Sequence, residues 1–434
     1  MYKKLLISIA AASLLLLPLS GCNAQETTPG GSNLYGSIAS DDNVDNSTTN
    51  SEDAMAGTTN ELTISTLRES NFLEAAARRF EEIHEGRYTI TINVYDDFAS
   101  YSQIINTALM SGMGEDIIDA THITWQRLAD VNMLVDLTNH IEFASGEFYQ
   151  SVLDAFLHGG RRYVIPLNFA FTAFCFNFTD VVAYESRPSR LTLENIMTLA
   201  EIYPEYQLWL SGSGLGETSL AFMLFSLDFN EYIDLVNRQA NIDNERFISM
   251  LENVYSLGES LRLDPPMGNA LLIEDMLFGP AMSMNGLVDY TDMVLLTNDM
   301  GESLVTTIGF MPSINANSTN QELAARFITF LLSKEMQSSL ELMFNPVNKA
   351  ATTEMANLML ESVRAGGYAA TDFDLENNIT IFNRLAESLA ISSTSDPFIG
   401  DFVRAEMTRF FDGEVTAPQA ASNLQTRLTT YLNE

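Results

Sequence analysis

Residues 61–67 (ELTISTL) alternate apolar and polar side chains, the period-2 pattern of a strand with one buried face. Residues 71–85 then carry Phe72, Ala75, Ala76, Phe80 and Ile83 near helical spacing, and 88–94 (YTITINV) return to alternation, so the folded chain opens with a β-α-β unit. A second helix is expected over 101–110, stopped by Ser111-Gly112-Met113-Gly114, followed by a short strand at 116–119 (DIID). Residues 125–132 read as helix again before Leu134-Val135-Asp136-Leu137. Strands alternating with helices from the first folded residue predict an α/β domain with a parallel or mixed sheet.

The first 60 residues follow a different pattern. Met1 to Lys4 form a short basic segment, and residues 5–17 form an apolar run too short to span a bilayer. Leu19-Ser20-Gly21-Cys22 then supplies small residues at a cleavage point. This tetrapeptide resembles the lipobox of bacterial lipoproteins, which implies a signal peptide over 1–21 and a lipidated Cys22 at the mature N-terminus. Residues 23–60 are rich in Ser, Thr, Asn, Gly and acidic groups and nearly free of large apolar side chains, so they cannot bury enough surface to offset the entropy of ordering. They are expected to act as a flexible, disordered linker (22–60 with the cysteine) of roughly 35 Å r.m.s. span.

Charge narrows the partners. The 434 residues hold 57 Asp and Glu against 22 Lys and Arg, a formal net charge of −35. A chain lacking a basic face cannot neutralise phosphates, which argues against nucleic acid. It also argues against adsorption to anionic lipid, leaving the acyl chain on Cys22 as the membrane attachment.

The run SGMGEDIIDATHITWQRLADVNMLVDLTNHI at 111–141 resembles the family 1 extracellular solute-binding proteins that serve ABC importers. Further pieces follow in order. Residues 162–177 (RYVIPLNFAFTAFCFN) resemble the crossover strand between lobes, and 281–286 (AMSMNG) the strand and Asn-Gly loop of the second lobe. Residues 308–337 resemble the return strand and the helix ending Phe-Ile-x-Phe-Leu-Leu-Ser. Asn345-Pro346-Val347 resembles the short element after it, and 415–433 the terminal helix. Glu115 stands where the family commonly has proline.

The resemblance implies a two-lobed periplasmic-binding-protein type II-like fold with a ligand cleft between lobes. The implied first lobe is 61–167 and 311–367; the second is 168–310 and 368–434. Crossing segments near 166–171 and 309–313 would serve as hinges. It implies a lipid-anchored protein on the outer face of the bacterial cytoplasmic membrane, delivering a solute to membrane-embedded ABC permease subunits without catalysis or cofactor. The solute class is a mono- or oligosaccharide. A cell-surface glycoside hydrolase or polysaccharide-processing lipoprotein is the alternative from another class, and a peptide or polyamine the alternative ligand.

Ligand contacts in such a fold come from loops after strands. Arg68, Ser70 and Asn71 follow the first strand and open a helix. His122 and Trp125 follow residues 116–119; Phe171 and Thr172 follow the crossover; Trp209, Ser211 and Ser213 follow 206–210; Asn285 and Asp289 follow AMSMNG; and Phe398 lies in an otherwise polar stretch read as a loop. Sugars take an aromatic platform on their C–H face and planar polar groups on their hydroxyls, and both Trp of the chain fall among these candidates. Trp125 also fits a helix-start residue packed on the core.

Enzyme signatures are weak. His84, His122, His140 and His158 lack metal-ligand spacing, and no Cys-x-x-Cys occurs, so no metal site is expected. Gly212 to Thr218 lacks the lysine of a phosphate loop, and no Gly-x-Ser-x-Gly elbow is in register. Cys175, among aromatic residues of a strand, reads as a buried inert thiol. Paired carboxylates of a glycosidase are defined by separation in space and stay open.

If Cys22 carries the lipid, Cys22→Ser releases the protein into the medium or leaves uncleaved precursor. Mass spectrometry of the wild-type N-terminus checks this: an unmodified start at any other residue refutes the anchor.

Overall fold

The computed structural model describes residues 60–434 apart from 144–145, 177–186, 205, 210–215, 262–269, 281, 284–285, 288–291, 308, 343, 366–373 and 393–395. The expected signal peptide, Cys22 and all but the last residue of the linker lie outside the described residues, as do Ser211, Ser213, Asn285 and Asp289.

The opening pattern folds as its periodicity dictates. β1 (Glu61–Thr66), α1 (Asn71–Ile83), β2 (Thr89–Val94), α2 (Phe98–Met110) and β3 (Ile117–Asp119) follow one another, with β2 and β3 both parallel to β1. Helix α2 stops where expected, with Gly112 and Gly114 at φ of 76° and 110°, a region open to glycine at little cost. The return strand Pro312–Ile314 adds antiparallel to β3, giving the spatial order Pro312–Ile314, β3, β1, β2. Glu115, at the position where proline was expected, accepts hydrogen bonds from Tyr95 Oη (2.8 Å) and Asn93 Nδ2 (3.1 Å), so the departure ties β3 to the end of β2.

A second sheet is built on the long strand Ala270–Gly279, which pairs antiparallel with Phe171–Phe176 and parallel with Gln207–Trp209. The strands Met282–Ser283 and Gly286–Leu287 extend one side and Met293–Val294 the other. Its two faces enter different cores. Phe171, Ala173, Leu277, Met293 and Leu295 belong to the core that surrounds the first sheet. Phe174, Phe176, Leu272, Val294 and Leu296 belong to a second core under the helices Glu217–Leu227, Glu245–Ser256 and Ala417–Asn433. Register explains the division: Phe171 pairs with Leu277 and Phe176 with Leu272, and alternate residues of a strand face opposite ways. Cys175 is half-buried on the first-core face rather than sealed, and its Sγ lies 3.8 Å from the Phe176 carbonyl.

Helix Leu375–Ala386 buries Phe382, Leu385 and Ala386 against the first-core face of the second sheet, where Phe382 meets Phe171 at 5.3 Å between ring centroids. An apolar stripe fixes that a helix is buried, not against which sheet. One expectation changes here: Phe398 stands in the first turn of helix Pro397–Phe411, not in a loop. Asp396 caps that helix, accepting from the amides of Phe398 (3.0 Å) and Ile399 (3.3 Å), and Pro397 occupies the position where a missing N–H costs nothing.

The crossing segments are stitched side by side. Asn168–Phe169 pairs with Asn345–Pro346, and Asn345 Nδ2 donates to the carbonyls of Phe169 (2.9 Å) and Leu277 (3.0 Å). At the end of β3, the buried Asp119 carboxylate accepts from Thr121 N (3.0 Å), Thr121 Oγ1 (2.6 Å) and Met311 N (3.2 Å), while Ala120 N donates to Met311 O (2.8 Å). The same Thr121 hydroxyl lies against Gly309 O, so its one proton is shared between the Asp119 carboxylate and that carbonyl. One carboxylate thereby fixes the second crossing segment to the first sheet.

Burial pushes the Asp119 carboxyl above its usual range, against these hydrogen bonds, which favour the charged form. The folded chain therefore holds that proton more tightly than the unfolded one. The group's contribution to stability is full below the unfolded value of about 3.9 and declines as pH rises through the raised folded value. Asp119→Asn keeps one acceptor oxygen and removes the charge, so its stability relative to wild type should improve from about pH 4 to about pH 8. Asp119→Ala should lose roughly 1–3 kcal/mol throughout, because buried amides are left unpaired. Denaturant melts at both pH values check this; a pH-independent difference for Asp119→Asn would contradict it.

Candidate functional site

Parallel strands carry residues after their carboxyl ends to one edge of the sheet, and this brings Arg68 and His122 together. The first follows β1 and is exposed; the second follows β3 and is half-buried. Burial, and then the Arg68 charge, hold the His122 imidazole below its usual pKa, so it is neutral near pH 7. Ser70 caps α1 through Oγ, which accepts from Leu73 N at 3.2 Å, and Asn71 is the exposed first helical residue. The Ser70 hydroxyl is thus engaged by its own helix.

α3 (Trp125–Asp130) lies at the seam between the two cores. Trp125, only 4% exposed, packs in the first core and stands edge-on to His158, ring centroids 6.1 Å apart at 82°. His158 begins a two-residue hairpin in which Gly159 and Gly160 both have positive φ, as a tight turn of this hand requires. Its Nε2 lies 2.7 Å from Asp130 Oδ1, which couples the hairpin to the end of α3.

Cavities lie on both sides of α3. One of ≈ 370 Å³ is bounded by Trp125 of the first core with Gln126 and His158 beside it, and by residues 229–230, 233–236 and 390–392 from the second-core side. The other, ≈ 340 Å³, is bounded by Asn106, Gln126, Arg127, Arg238 and Asp396. Between them α3 reaches across the seam: Arg127 Nη2 donates to Tyr431 O at 2.6 Å, and its guanidinium sits 4.0 Å above the Tyr431 ring. Tyr431 Oη donates to Asp396, 2.9 Å from Oδ2 and 3.1 Å from Oδ1. Burial raises the Asp396 carboxyl, and burial followed by the Asp396 charge raises the Tyr431 phenol. The phenol is therefore a firm donor at any physiological pH.

The remaining candidates divide. Phe398 is exposed but near the seam, its ring 6.0 Å from Tyr431. Phe171, expected in the cleft, is packed against Phe169 and Phe382 in the core because the strand alternation turns it inward. Thr172 is half-buried on the opposite face. Of Trp209 the structure describes the backbone, paired with Ile273. Gln126, His158, Arg127 and Tyr431 escaped sequence reasoning. Arg127 and Tyr431 are 304 positions apart, a pairing that no local pattern announces. Among the described residues no cluster of His, Cys, Asp or Glu is arranged to hold a metal, and no helix is long and apolar enough to cross a membrane.

No family model and no curated protein matches the sequence. Solved structures do. The sugar-binding protein MalE of Xanthomonas citri matches at a TM-score of 0.59 and 13% identity, over 86% of this chain and 97% of that one. A family 1 extracellular solute-binding protein of Alicyclobacillus acidocaldarius matches at 0.55 and 15%, over 86% and 98%. An ABC substrate-binding protein of Listeria monocytogenes, solved in complex with cycloalternan, matches at 0.54 and 12%, over 86% and 99%. The chain has the two-lobed fold of the extracellular solute-binding proteins, and its structural neighbours include sugar-binding members of that class.

Arg127→Ala removes a cation–π contact and a charge-assisted hydrogen bond at the seam and should lower stability by roughly 1–3 kcal/mol. Arg127→Lys should recover only part of this, since an ammonium lacks the planar fork. Chemical denaturation of the three proteins decides it; equal midpoints would mean the contact contributes nothing.

Proposed function

We propose that this protein is a lipid-anchored, extracellular substrate-binding protein that closes two lobes on a mono- or oligosaccharide and passes it to the permease of an ABC importer, with no catalytic step. The observation that carries the reading is the pair of cavities flanking α3, each walled partly by residues of one core and partly by residues of the other. A ligand in such a position contacts both bodies at once, so its binding energy favours the arrangement in which they meet. The cavity sizes fall in the range of small-molecule sites, about 300–1,000 Å³. The sugars named for the structural neighbours make carbohydrates the first class to try.

The test is a thermal-shift screen of the purified protein against mono- and oligosaccharides, with spermidine and short peptides alongside. A ligand at about 100 times its Kd stabilises the native state by about 2.7 kcal/mol, which reads as a raised midpoint. Sugars should raise it, small-angle scattering should show a smaller radius of gyration with the same sugar, and no reducing ends should be released from oligosaccharides. A shift with polyamine or peptide alone overturns the carbohydrate reading. Turnover overturns the non-catalytic one.

A further inference from the structure

Gln126 is the second residue of α3, 6% exposed, and lines both cavities. Its Oε1 is buried without a hydrogen-bond partner. A buried carboxamide left unpaired costs about 1–3 kcal/mol, and folded proteins retain few such groups. Of the ionic groups lining the larger cavity, His158 meets Asp130. Asp234, on the far wall of the larger cavity, accepts from Asn237 N (2.9 Å) and Nδ2 (2.7 Å), bonds that hold its pKa below the usual range. The polar side chains left uncommitted around the larger cavity are neutral: Gln126 on one wall, Asn230 and Ser392 on the other. A carboxamide both donates and accepts, as a hydroxyl does, whereas a polyamine with several ammonium groups would need more carboxylates than Asp234, the one that lines this cavity. Trp125 supplies an apolar surface beside Gln126.

We infer that the ≈ 370 Å³ cavity is a subsite for a neutral, polyhydroxylated ligand, with the Gln126 carboxamide as the hydrogen-bonding group that selects it. This rests on the solute-binding reading above and adds the residue and the charge type. Removing the amide relieves an unpaired polar group while deleting a ligand contact, so stability and affinity should move apart.

The experiment measures affinity of the full-length purified protein for glucose, maltose, cellobiose and spermidine by calorimetry, and the melting midpoint, for wild type, Gln126→Leu and Ser392→Ala. Support is a sugar that wild type binds and that Gln126→Leu binds roughly 10- to 100-fold more weakly, with its midpoint unchanged or raised. Ser392→Ala, from the opposite wall, should weaken the same sugar roughly three- to tenfold. It decides the matter alone should Gln126→Leu fail to fold. Wild-type affinity in the folded variants overturns the subsite and leaves the solute-binding reading intact. Binding of spermidine but none of the sugars overturns the charge type and the subsite with it. No binding of any probe by wild type sinks the subsite together with the carbohydrate reading beneath it.

Discussion

The second sheet is one layer of backbone whose two faces lie in two different hydrophobic cores, and the rest of the architecture follows from that. Strand alternation sends Phe171 and Leu277 one way and Phe174 and Leu272 the other, so a one-residue slip in the pairing of Phe171–Phe176 with Ala270–Gly279 would exchange the cores. The register is therefore held by apolar surface on both sides. It also means the two bodies are joined by more than crossing strands. Helix Leu375–Ala386 and the ring cluster Tyr149, Phe169, Phe171 and Phe382 seal the first-core face of the sheet. Motion of the second body must leave that seal intact or expose it to water, at about 25 cal/mol for each Å² of apolar area.

Against this shared wall, the seam at α3 is held by specific polar contacts. The Arg127–Tyr431–Asp396 chain and the His158–Asp130 pair use groups that are directional, partly buried and few. A small number of such contacts beside open cavities is a different physical regime from the sheet, where stability is spread over many apolar neighbours. Local rearrangement costs less in the seam's regime than in the sheet's.

Much of the first lobe could be read from its sequence because its elements are regular and local. β1, α1 and β2 each follow a single period, and Gly112 and Gly114 mark the end of α2 as backbone chemistry requires. The side of the sheet to which helix Leu375–Ala386 belongs is a long-range fact with no local signal. The same holds for Phe171, whose inward turn depends on register with Leu277, 106 residues away. Reading Phe398 as a loop residue overlooked a local signal that was present, Asp396-Pro397 as cap and first turn. The seam residues were out of reach for a deeper reason. Gln126 is informative because it lacks a partner, and the absence of a partner exists only once the whole surround is folded.

The first core gathers side chains from 62–173, from scattered positions between 277 and 347, and from Phe382, Leu385, Ala386 and Leu389. A chain made from its N-terminus cannot close this core until residue 389 is available, although α1 and α2 can form early. Sequence separations of this size make loop closure a large part of the folding barrier and favour slow, intermediate-populated kinetics. Throughout that interval Phe169, Phe171 and the strand edges beside them are exposed. The order in which the chain is supplied thus sets how long its most adhesive surface stays open, and truncation before Phe382 removes the ring that covers Phe169 and Phe171.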